Sequence, residues 1–323
     1  MKLSARQAVD VLRAAGEPTR LRILALLQRE ELAVLELCRV LEQSQPRVSR
    51  HLKLLAEAGL VERFPDGAWV FYRLTGAGRA HEVVGEVLAR IEADDPALAR
   101  DRRKLDDVQA ERAAAASAYF ADNAAQWDQI RSLYVSDADV ETEIVTAAGP
   151  GGFRRMVDLG AGTGRMLTLL AARAEQAVGL DLSQQMLNIA RRNAAQAGLA
   201  HVELRHGDIF DTRLPDASAD LVVVHQVLHY LGDPAAAVRE AARLVASDGR
   251  LIIVDFAPHK HEFLREAHQH RRLGFSDEEM SRWLGEAALP QVSLLSLPPV
   301  REDGLTVKIW TARRAPTELR SAA

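Results

Sequence analysis

The 323-residue chain has a globular composition, with 48% hydrophobic and 27% charged residues, which excludes disorder over most of its length and allows two domains. No stretch approaches the roughly 20 apolar residues that a membrane-spanning helix requires, and the N-terminus lacks a signal-peptide core. The single cysteine, Cys38, excludes an internal disulfide framework and a metal site of several thiolates. These features predict a cytoplasmic protein with no membrane partner.

The net charge of −4 is unevenly distributed along the chain. Residues 1–75 contain 12 Lys and Arg against 9 Asp and Glu, whereas the remainder is acidic. The first part is therefore the better candidate for contact with a polyanion such as DNA.

The N-terminal part has the pattern of short helices followed by a β-hairpin. Apolar periodicity and capping residues predict helices over residues 2–15, from Pro18, over 34–41, and from a cap at Ser44 to Gly59. Two strand-like segments, 60–64 and 69–74, flank a Pro-Asp-Gly turn and predict a hairpin. A further helix is expected over residues 77–92.

The rest of the chain alternates between two periodicities. Residues 93–117 are charged and then alanine-rich, which predicts a helical connector. Strands are predicted at residues 155–159, 176–181, 201–206, 219–225, 250–255, 292–297 and 306–312, with helices between most of them. This alternation predicts a doubly wound α/β sheet. We therefore expect an α + α/β protein with one domain at residues 1–92 and another at 118–315.

The fourth predicted helix has the two faces of a DNA recognition helix. Its polar residues are Ser44, Gln45, Arg47, Ser49, Arg50, His51 and Lys53. Its aliphatic residues, expected to face the core, are Val48, Leu52, Leu54 and Leu55. Gln and Arg side chains form bidentate pairs with base edges. A solvated helix of a bundle is the alternative, but the hairpin that follows favours a winged helix-turn-helix bound to duplex DNA.

Residues 5–92 resemble the ArsR/SmtB family of winged-helix repressors. The resemblance is carried by GEPTRLRIL at 16–24, SQPRVSRHLK at 44–53 and AGLV at 58–61. It implies a homodimer formed through the first and last helices of the domain, and an operator with dyad symmetry. Metal-sensing members carry Glu-Leu-Cys-Val-Cys-Asp-Leu, but here Ala33 and Leu35 replace both thiolates. DNA binding and dimerisation are therefore implied without a metal site, and Cys38 is expected to be a small buried residue.

A glycine loop, GAGTG at residues 160–164, follows the first predicted strand of the α/β part. Its third glycine comes one residue too early for the G-x-G-x-x-G of dinucleotide-binding folds. Asp158, just before the loop, would repel a pyrophosphate but suits a ligand with an ammonium group, such as S-adenosyl-L-methionine. Asp181, at the end of the second strand, can accept hydrogen bonds from ribose hydroxyls. Asp208, after the third, can accept from an adenine amino group, with Ile209 against the ring.

Residues 119–314 resemble the class I S-adenosylmethionine-dependent methyltransferases, nearest to the small-molecule branch that includes ubiquinone and menaquinone biosynthesis. The strings are VDLGAGTG at 157–164, GLDLS at 179–183, VLHYL at 227–231 and LVASDGRL at 244–251. The family has a seven-stranded sheet with an antiparallel last strand, here 306–312.

The resemblance also implies a set of cofactor-binding residues. They are Asp158, Gly160, Gly162 and Gly164 at the methionine end, Asp181 at the ribose, Asp208 and Ile209 at the adenine, and in addition Leu182, Met186 and His225. The segment with Tyr119, Phe120, Trp127 and Asp128 resembles the aromatic lead-in that covers the cofactor. Plain packing of a helix is the alternative for these aromatic residues.

No catalytic residue is singled out. Methyl transfer needs a base only when the nucleophile must lose a proton, and the candidates are His225, His229 and Tyr119. Helix packing or cofactor contact is the alternative for the two histidines. His261 and His268 lie seven residues apart and are expected to share the face of a polar substrate-cap helix, with a metal site as the weaker alternative. Arsenic methylation is excluded because it needs several thiolates.

Three functions fit these patterns. The first is a DNA-binding transcriptional regulator that is also an active methyltransferase for a small molecule. The second is a regulator whose second domain only senses S-adenosyl-L-methionine or S-adenosyl-L-homocysteine. The third is an enzyme whose N-terminal domain serves dimerisation, and the filled polar face of the recognition helix disfavours it.

Overall fold

The computed structural model describes residues 3–75, 79–92, 94–127, 137–299 and 304–314. The chain divides into two compact units, Met1–Ala114 and Ala115–Ala323. The predicted helix start at Ala77, the residue Asp128, and the predicted limits at residues 93 and 315 lie outside the described residues. Among the described helices, none is long and apolar enough to cross a membrane.

Over residues 3–57, the first unit forms the helices that the sequence predicts. They are α1 (Ala5–Ala15), α2 (Pro18–Leu27), α3 (Val34–Leu41) and α4 (Gln45–Glu57). Ser4 begins α1 with a capping box, and the Glu17 side chain caps α2 ahead of Pro18. Ser44 occupies the N-cap position of α4, but its side chain makes no capping hydrogen bond. Gly59 follows α4 with a φ of +68°, as a helix-ending glycine should.

The predicted hairpin, β2 (Val61–Asp66) and β3 (Trp69–Leu74), belongs to a small antiparallel sheet. A strand that the sequence analysis missed, β1 (Leu32–Ala33), pairs with β3 and places Leu32 opposite Tyr72. Two residues carry no periodicity, so only the long-range pairing reveals this strand. The helix α5 (Arg79–Ala89) follows the hairpin.

The helix α6 (Pro96–Asn123) lies where the helical connector was predicted. Its first half packs into the core of the first unit, where Leu105 is fully buried and Val108 is 4% exposed. Asp101, one turn before Leu105, forms two 2.6 Å hydrogen bonds to the guanidinium of Arg22 in α2. This part of α6 is therefore built into the first unit, which extends to Ala114.

Within its described residues, the second unit forms a seven-stranded sheet in the order β6-β5-β4-β7-β8-β10-β9. The strands are β4 (Phe153–Leu159), β5 (Ala174–Asp181), β6 (Val202–His206), β7 (Ala219–His225), β8 (Val245–Phe256), β9 (Gln291–Leu297) and β10 (Val307–Arg313). The helices are α7 (Asp137–Ala148), α8 (Arg165–Leu170), α9 (Gln184–Gln196), α10 (Pro234–Leu244), α11 (Phe263–His268) and α12 (Asp277–Glu286). β10 is antiparallel to both neighbours, which confirms the predicted topology.

Both faces of this sheet are buried. Along β4, Val157 and Leu159 belong to one hydrophobic cluster, whereas Met156 belongs to another on the opposite face. The predicted strands are all present and most ends agree within two residues, but β8 begins five residues early, at Val245. The helix α7 was not predicted. Strand order reverses between β4 and β7, and ligands of doubly wound sheets bind beyond the carboxyl ends of the strands at such a point.

Candidate cofactor site and nucleic-acid interface

The loop after β4 depends on glycine at several positions. Gly160, Gly162 and Gly164 have φ angles of +73°, +52° and +81°, which L side chains rarely adopt. A Cβ on Gly160 would lie 2.5 Å from Cγ2 of Val227, and a Cβ on Gly164 would lie 3.1 Å from Cβ of Ala190. The glycines therefore allow both the backbone conformation and the close packing of the loop against its neighbours.

Asp158, near the end of β4, is a buried carboxyl group. It is 1% exposed, and neither of its oxygens has a hydrogen-bond partner among the described residues. Burial, together with the charge of Asp181, raises the pKa of Asp158 to about 8. A buried polar group without a partner is costly, and a cationic ligand group would offset that cost. This environment suits the ammonium group that the sequence analysis expects here.

Asp181, at the end of β5, is tied to the glycine loop. Its Oδ2 accepts a hydrogen bond from the N–H of Gly162 at 2.8 Å, and its Oδ1 accepts from the N–H of Ser183 at 2.7 Å. Burial raises the pKa of Asp181, although both hydrogen bonds act to lower it. Each carboxylate oxygen offers a further lone pair, so the group can still accept hydrogen bonds from hydroxyls of a ligand.

Four further predicted cofactor contacts lie after β5 and β6, and His225 ends β7. Oδ1 of Asp208 accepts from the N–H of Phe210 at 2.9 Å, and Ile209 is 6% exposed. Leu182 is 53% exposed, whereas Met186, in the first turn of α9, is 2% exposed. Leu182 is therefore available to a ligand in this state, and the Met186 side chain is enclosed by protein.

The aromatic residues of the predicted lead-in segment contact one another. The Phe120 ring centroid is 5.2 Å from that of Trp127 and 4.9 Å from that of Tyr230. The indole nitrogen of Trp127 is 3.7 Å from the position that a Cβ on Gly162 would take. Trp127 therefore lies beside the glycine loop, where an aromatic ring can cover a ligand.

The candidate bases differ in how accessible they are. The Tyr119 hydroxyl is 2.7 Å from Nδ1 of His268, both residues are half-buried, and burial lowers the pKa of His268. His225, the last residue of β7, is 9% exposed. His229 is 1% exposed, and its Nδ1 lies 2.7 Å from Oδ1 of Asp255, which is fully buried. Sequence reasoning missed Asp255 because an acid inside a strand pattern gives no sign of a partner 26 residues away.

The predicted histidine-bearing cap helix is shorter than expected. Because α11 covers only Phe263–His268, His261 precedes it, and the expectation that His261 and His268 share a helix face is wrong. Across the described ranges, no group of three His, Cys, Asp or Glu residues is placed to hold a metal ion. Cys38 is half-buried at the edge of the core of the first unit.

The polar residues of α4 are not equally exposed. Ser44, Gln45, Arg47, Arg50 and Lys53 are exposed, Ser49 and His51 only partly so. Nδ1 of His51 lies 3.3 Å from Oε2 of Glu17, and burial lowers the pKa of His51 despite that carboxylate. The structure therefore turns His51 toward α2.

One of the four apolar residues of α4 that were predicted to face the core is exposed. Val48, Leu52 and Leu55 are fully buried, but Leu54 is 41% exposed, so its predicted place in the core is wrong. The buried residues follow the four- and three-residue spacing of one helix face, and Leu54 lies 100° away from Leu55 around the helix axis.

Two family models match the chain. Residues 17–63 match the model for bacterial regulatory proteins of the arsR family, and residues 157–253 match the methyltransferase domain. The chain therefore joins an ArsR-type DNA-binding regulator domain to a methyltransferase domain.

Individual relatives match each part separately. The arsenical resistance operon repressor of Escherichia coli K12 is 46% identical over 68 residues, which cover 21% of this chain and 58% of the repressor. The uncharacterized methyltransferase YcgJ of Bacillus subtilis is 31% identical over 105 residues, which cover 32% of this chain and 42% of YcgJ. The chain thus spans about half the length of these relatives.

A solved structure shares the fold of the second unit. A chain in the complex between the Haloferax volcanii Trm112 methyltransferase activator and a methyltransferase superposes with a TM-score of 0.51 at 22% identity. The match covers 61% of this chain and 98% of that one.

Proposed function

We propose that this protein is a DNA-binding transcriptional regulator that also binds S-adenosyl-L-methionine and transfers its methyl group to a small molecule. The observation that carries the proposal is the buried carboxyl group of Asp158, which has no partner among the described residues. It lies beside a glycine loop and near Asp181. A ligand that has an ammonium group for Asp158 and ribose hydroxyls for Asp181, and that has no phosphate, fits the carboxyl groups at this edge of the sheet.

The proposed cofactor contacts follow from these positions. Asp158 and the loop glycines would hold the methionine end, Asp181 the ribose hydroxyls, and Asp208 with Ile209 the adenine. The exposed side chain of Leu182 supports its place in the site. The Met186 side chain is buried, so it would support the site by packing beneath it and would not contact the ligand directly in this state.

S-adenosyl-L-methionine, when bound, supplies a methyl group activated by its sulfonium. The contribution of the chain is orientation, because a ligand held at both ends presents the methyl group in line with an acceptor. Trp127 and Phe120 would exclude water on the side of the glycine loop. Where the acceptor must lose a proton, the half-buried pair of Tyr119 and His268 is more accessible than the enclosed His229.

For DNA, we propose that residues 1–92 form the recognition and dimerisation domain and 118–315 the methyltransferase domain. Residues 93–117 would form the connector, whose first half packs into the core of the first unit. Gln45, Arg47 and Arg50 would reach base edges or phosphates from the exposed face of α4. Lys53 is also exposed and would contact the backbone. A DNA partner and a lone cysteine fit a cytoplasmic protein.

A homodimer is supported by an apolar surface on the first unit. Val9 and Leu12 of α1 and Val87 of α5 are exposed at 44%, 53% and 37%. A cavity of about 460 Å³ has Leu12 and Val87 among its lining residues. A second copy would cover this surface, and its α4 would read the other half of a dyad operator.

A second candidate is a regulator that only senses the cofactor, and the enclosure of one candidate base, His229, is compatible with it. An acceptor that needs a base could not reach His229 in this state. Sensing would need the cofactor site and the DNA face, but no accessible base.

Two measurements on the full chain separate these functions. Calorimetry with S-adenosyl-L-homocysteine tests the cofactor site, and release of S-adenosyl-L-homocysteine from S-adenosyl-L-methionine in a small-metabolite mixture tests turnover. Binding with release supports the enzyme, and binding without release supports the sensor. Absence of binding rejects both. DNA binding is measured on duplexes that the wild-type protein selects from a randomised pool.

A further inference from the structure

Helix α6 is attached to α3, the first helix of the helix-turn-helix, by ion pairs along its length. Glu36–Arg112, Arg39–Glu111 and Glu42–Lys104 have N to O distances of 2.7, 2.5 and 2.5 Å. Glu36 lies in the first turn of α3 and Glu42 is its C-cap residue, so α6 is tied to α3 at both ends.

Arg112 differs from the other cations because its partners are buried. Its guanidinium donates hydrogen bonds to Oε1 of Glu36 at 2.7 Å and to the two carboxylate oxygens of Glu30 at 2.9 and 3.2 Å. The Glu30 side chain is 4% exposed and that of Glu36 is 12% exposed. By contrast, both side chains of the Arg39–Glu111 pair are more than half exposed, and such pairs contribute little. Separation of Arg112 from its partners would leave the Glu30 carboxylate buried without the charge that balances it, which is costly.

The same contact reaches the start of α3. Oε2 of Glu36 accepts a hydrogen bond from the N–H of Ala33, which closes the first turn of the helix. Leu37 of α3 and Leu52 of α4 are both fully buried in the core of the first unit. Close-packed cores transmit small displacements. A displacement of Arg112 would therefore shift α3 and, through the core that the two helices share, α4.

The far end of α6 belongs to the second unit and carries residues next to the candidate cofactor site. Tyr119 is hydrogen-bonded to His268, and the ring of Phe120 contacts Trp127 beside the glycine loop. A single helix, Pro96–Asn123, therefore includes both Arg112 and these aromatic residues.

We propose that Arg112 is the contact through which α6 sets DNA affinity according to the occupancy of the cofactor site. This inference rests on the proposed function. A ligand shifts an equilibrium only by its different affinity for the two states. The ion pairs of Arg112 with Glu30 and Glu36 are kept in one state of the helix-turn-helix and loosened in the other.

The test compares DNA affinity without ligand and with saturating S-adenosyl-L-homocysteine, by fluorescence anisotropy on a duplex selected by the wild-type protein. For the wild type, the ratio of the DNA affinities in the two conditions should be roughly 5–150. The double variant Arg112→Met, Glu30→Gln removes the Arg112–Glu30 ion pair without leaving the Glu30 charge buried. Its ratio should fall to near one, with unchanged affinity for S-adenosyl-L-homocysteine.

Two further variants act as controls. Arg103→Ala removes an exposed cation from the same helix and should keep the wild-type ratio. The charge swap Arg112→Glu with Glu30→Arg should recover part of the ratio that the neutral pair loses. If the wild type binds neither DNA nor S-adenosyl-L-homocysteine, the proposed function fails. If it binds both but its ratio is one, or if the neutral pair keeps the wild-type ratio, this inference alone is overturned.

Discussion

Replacement of Asp158 by Asn should remove a pH dependence from cofactor binding. The pKa of about 8 means that at pH 7 the carboxyl group of the ligand-free protein is ionised in about one molecule of eleven. Formation of the carboxylate that an ammonium group needs therefore costs about 1.4 kcal/mol at pH 7, since one pKa unit corresponds to 1.36 kcal/mol. The affinity of the wild type for S-adenosyl-L-homocysteine should rise about ninefold from pH 6 to 7 and about fivefold more to pH 8.

Calorimetry in buffers of different ionisation enthalpy measures the accompanying proton release. The wild type should release most of one proton per ligand at pH 7, and Asp158→Asn should lack that release and bind with a weaker pH dependence. Asp211→Asn, which changes a largely exposed carboxylate outside the cofactor set, should behave as the wild type. Identical pH profiles for the wild type and Asp158→Asn would refute the assignment of Asp158 to the ammonium group.

The stability of the ligand-free protein gives an independent check with a defined sign. The pKa of Asp158 is raised from its ordinary 3.8, so between about pH 4 and 8 the folded chain retains a proton that the unfolded chain has lost. Stability should therefore fall as the pH rises through this window. Asp158→Asn should be the more thermostable protein at pH 8, and its advantage should shrink toward pH 4. A constant difference in melting temperature across this range would contradict the burial argument.

Other changes have equally specific outcomes. Asp181→Ala should weaken binding of S-adenosyl-L-homocysteine by about 1.5–3 kcal/mol, because hydrogen bonds to a charged group are lost, and unchanged calorimetric affinity would reject the ribose assignment. Arg47→Ala and Arg50→Ala should weaken binding to the selected duplex without affecting cofactor binding, and loss of a phosphate contact should lower the salt slope by about one, so wild-type affinity at every salt concentration would contradict the recognition face. Leu105→Ala should destabilise the first unit by about 2–5 kcal/mol in denaturant unfolding, because it opens a cavity in the core; a change below about 0.5 kcal/mol would mean that α6 is not part of that core. Arsenite, cadmium and zinc at micromolar levels should not release the protein from DNA, since the thiolates of metal-sensing relatives are replaced, and release by any of them in a gel-shift assay would show that a metal site exists.

The sequence by itself determined most of the elements and most of the candidate site. Strand and helix periods differ, so the alternation from residue 153 onward predicts the seven strands and the fold class. The glycine loop and the acids Asp158, Asp181 and Asp208 are visible as short strings because each lies at or just past the end of a strand. The polar face of α4 is also visible in the sequence, because helix geometry alone separates residues 47 and 50 from 48 and 52.

The tertiary structure decided what depends on distant partners. The pairing of β1 with β3, the contact of His229 with Asp255 and that of Tyr119 with His268 join segments 26 to 149 residues apart, and no local period encodes them. Burial likewise decided the state of individual side chains. His51 turns to Glu17, which a helical wheel cannot show. Asp158 is identifiable as an acid from the sequence, but its raised pKa arises only when the sheet encloses it and brings Asp181 near, because solvation and neighbouring charge are properties of the folded chain.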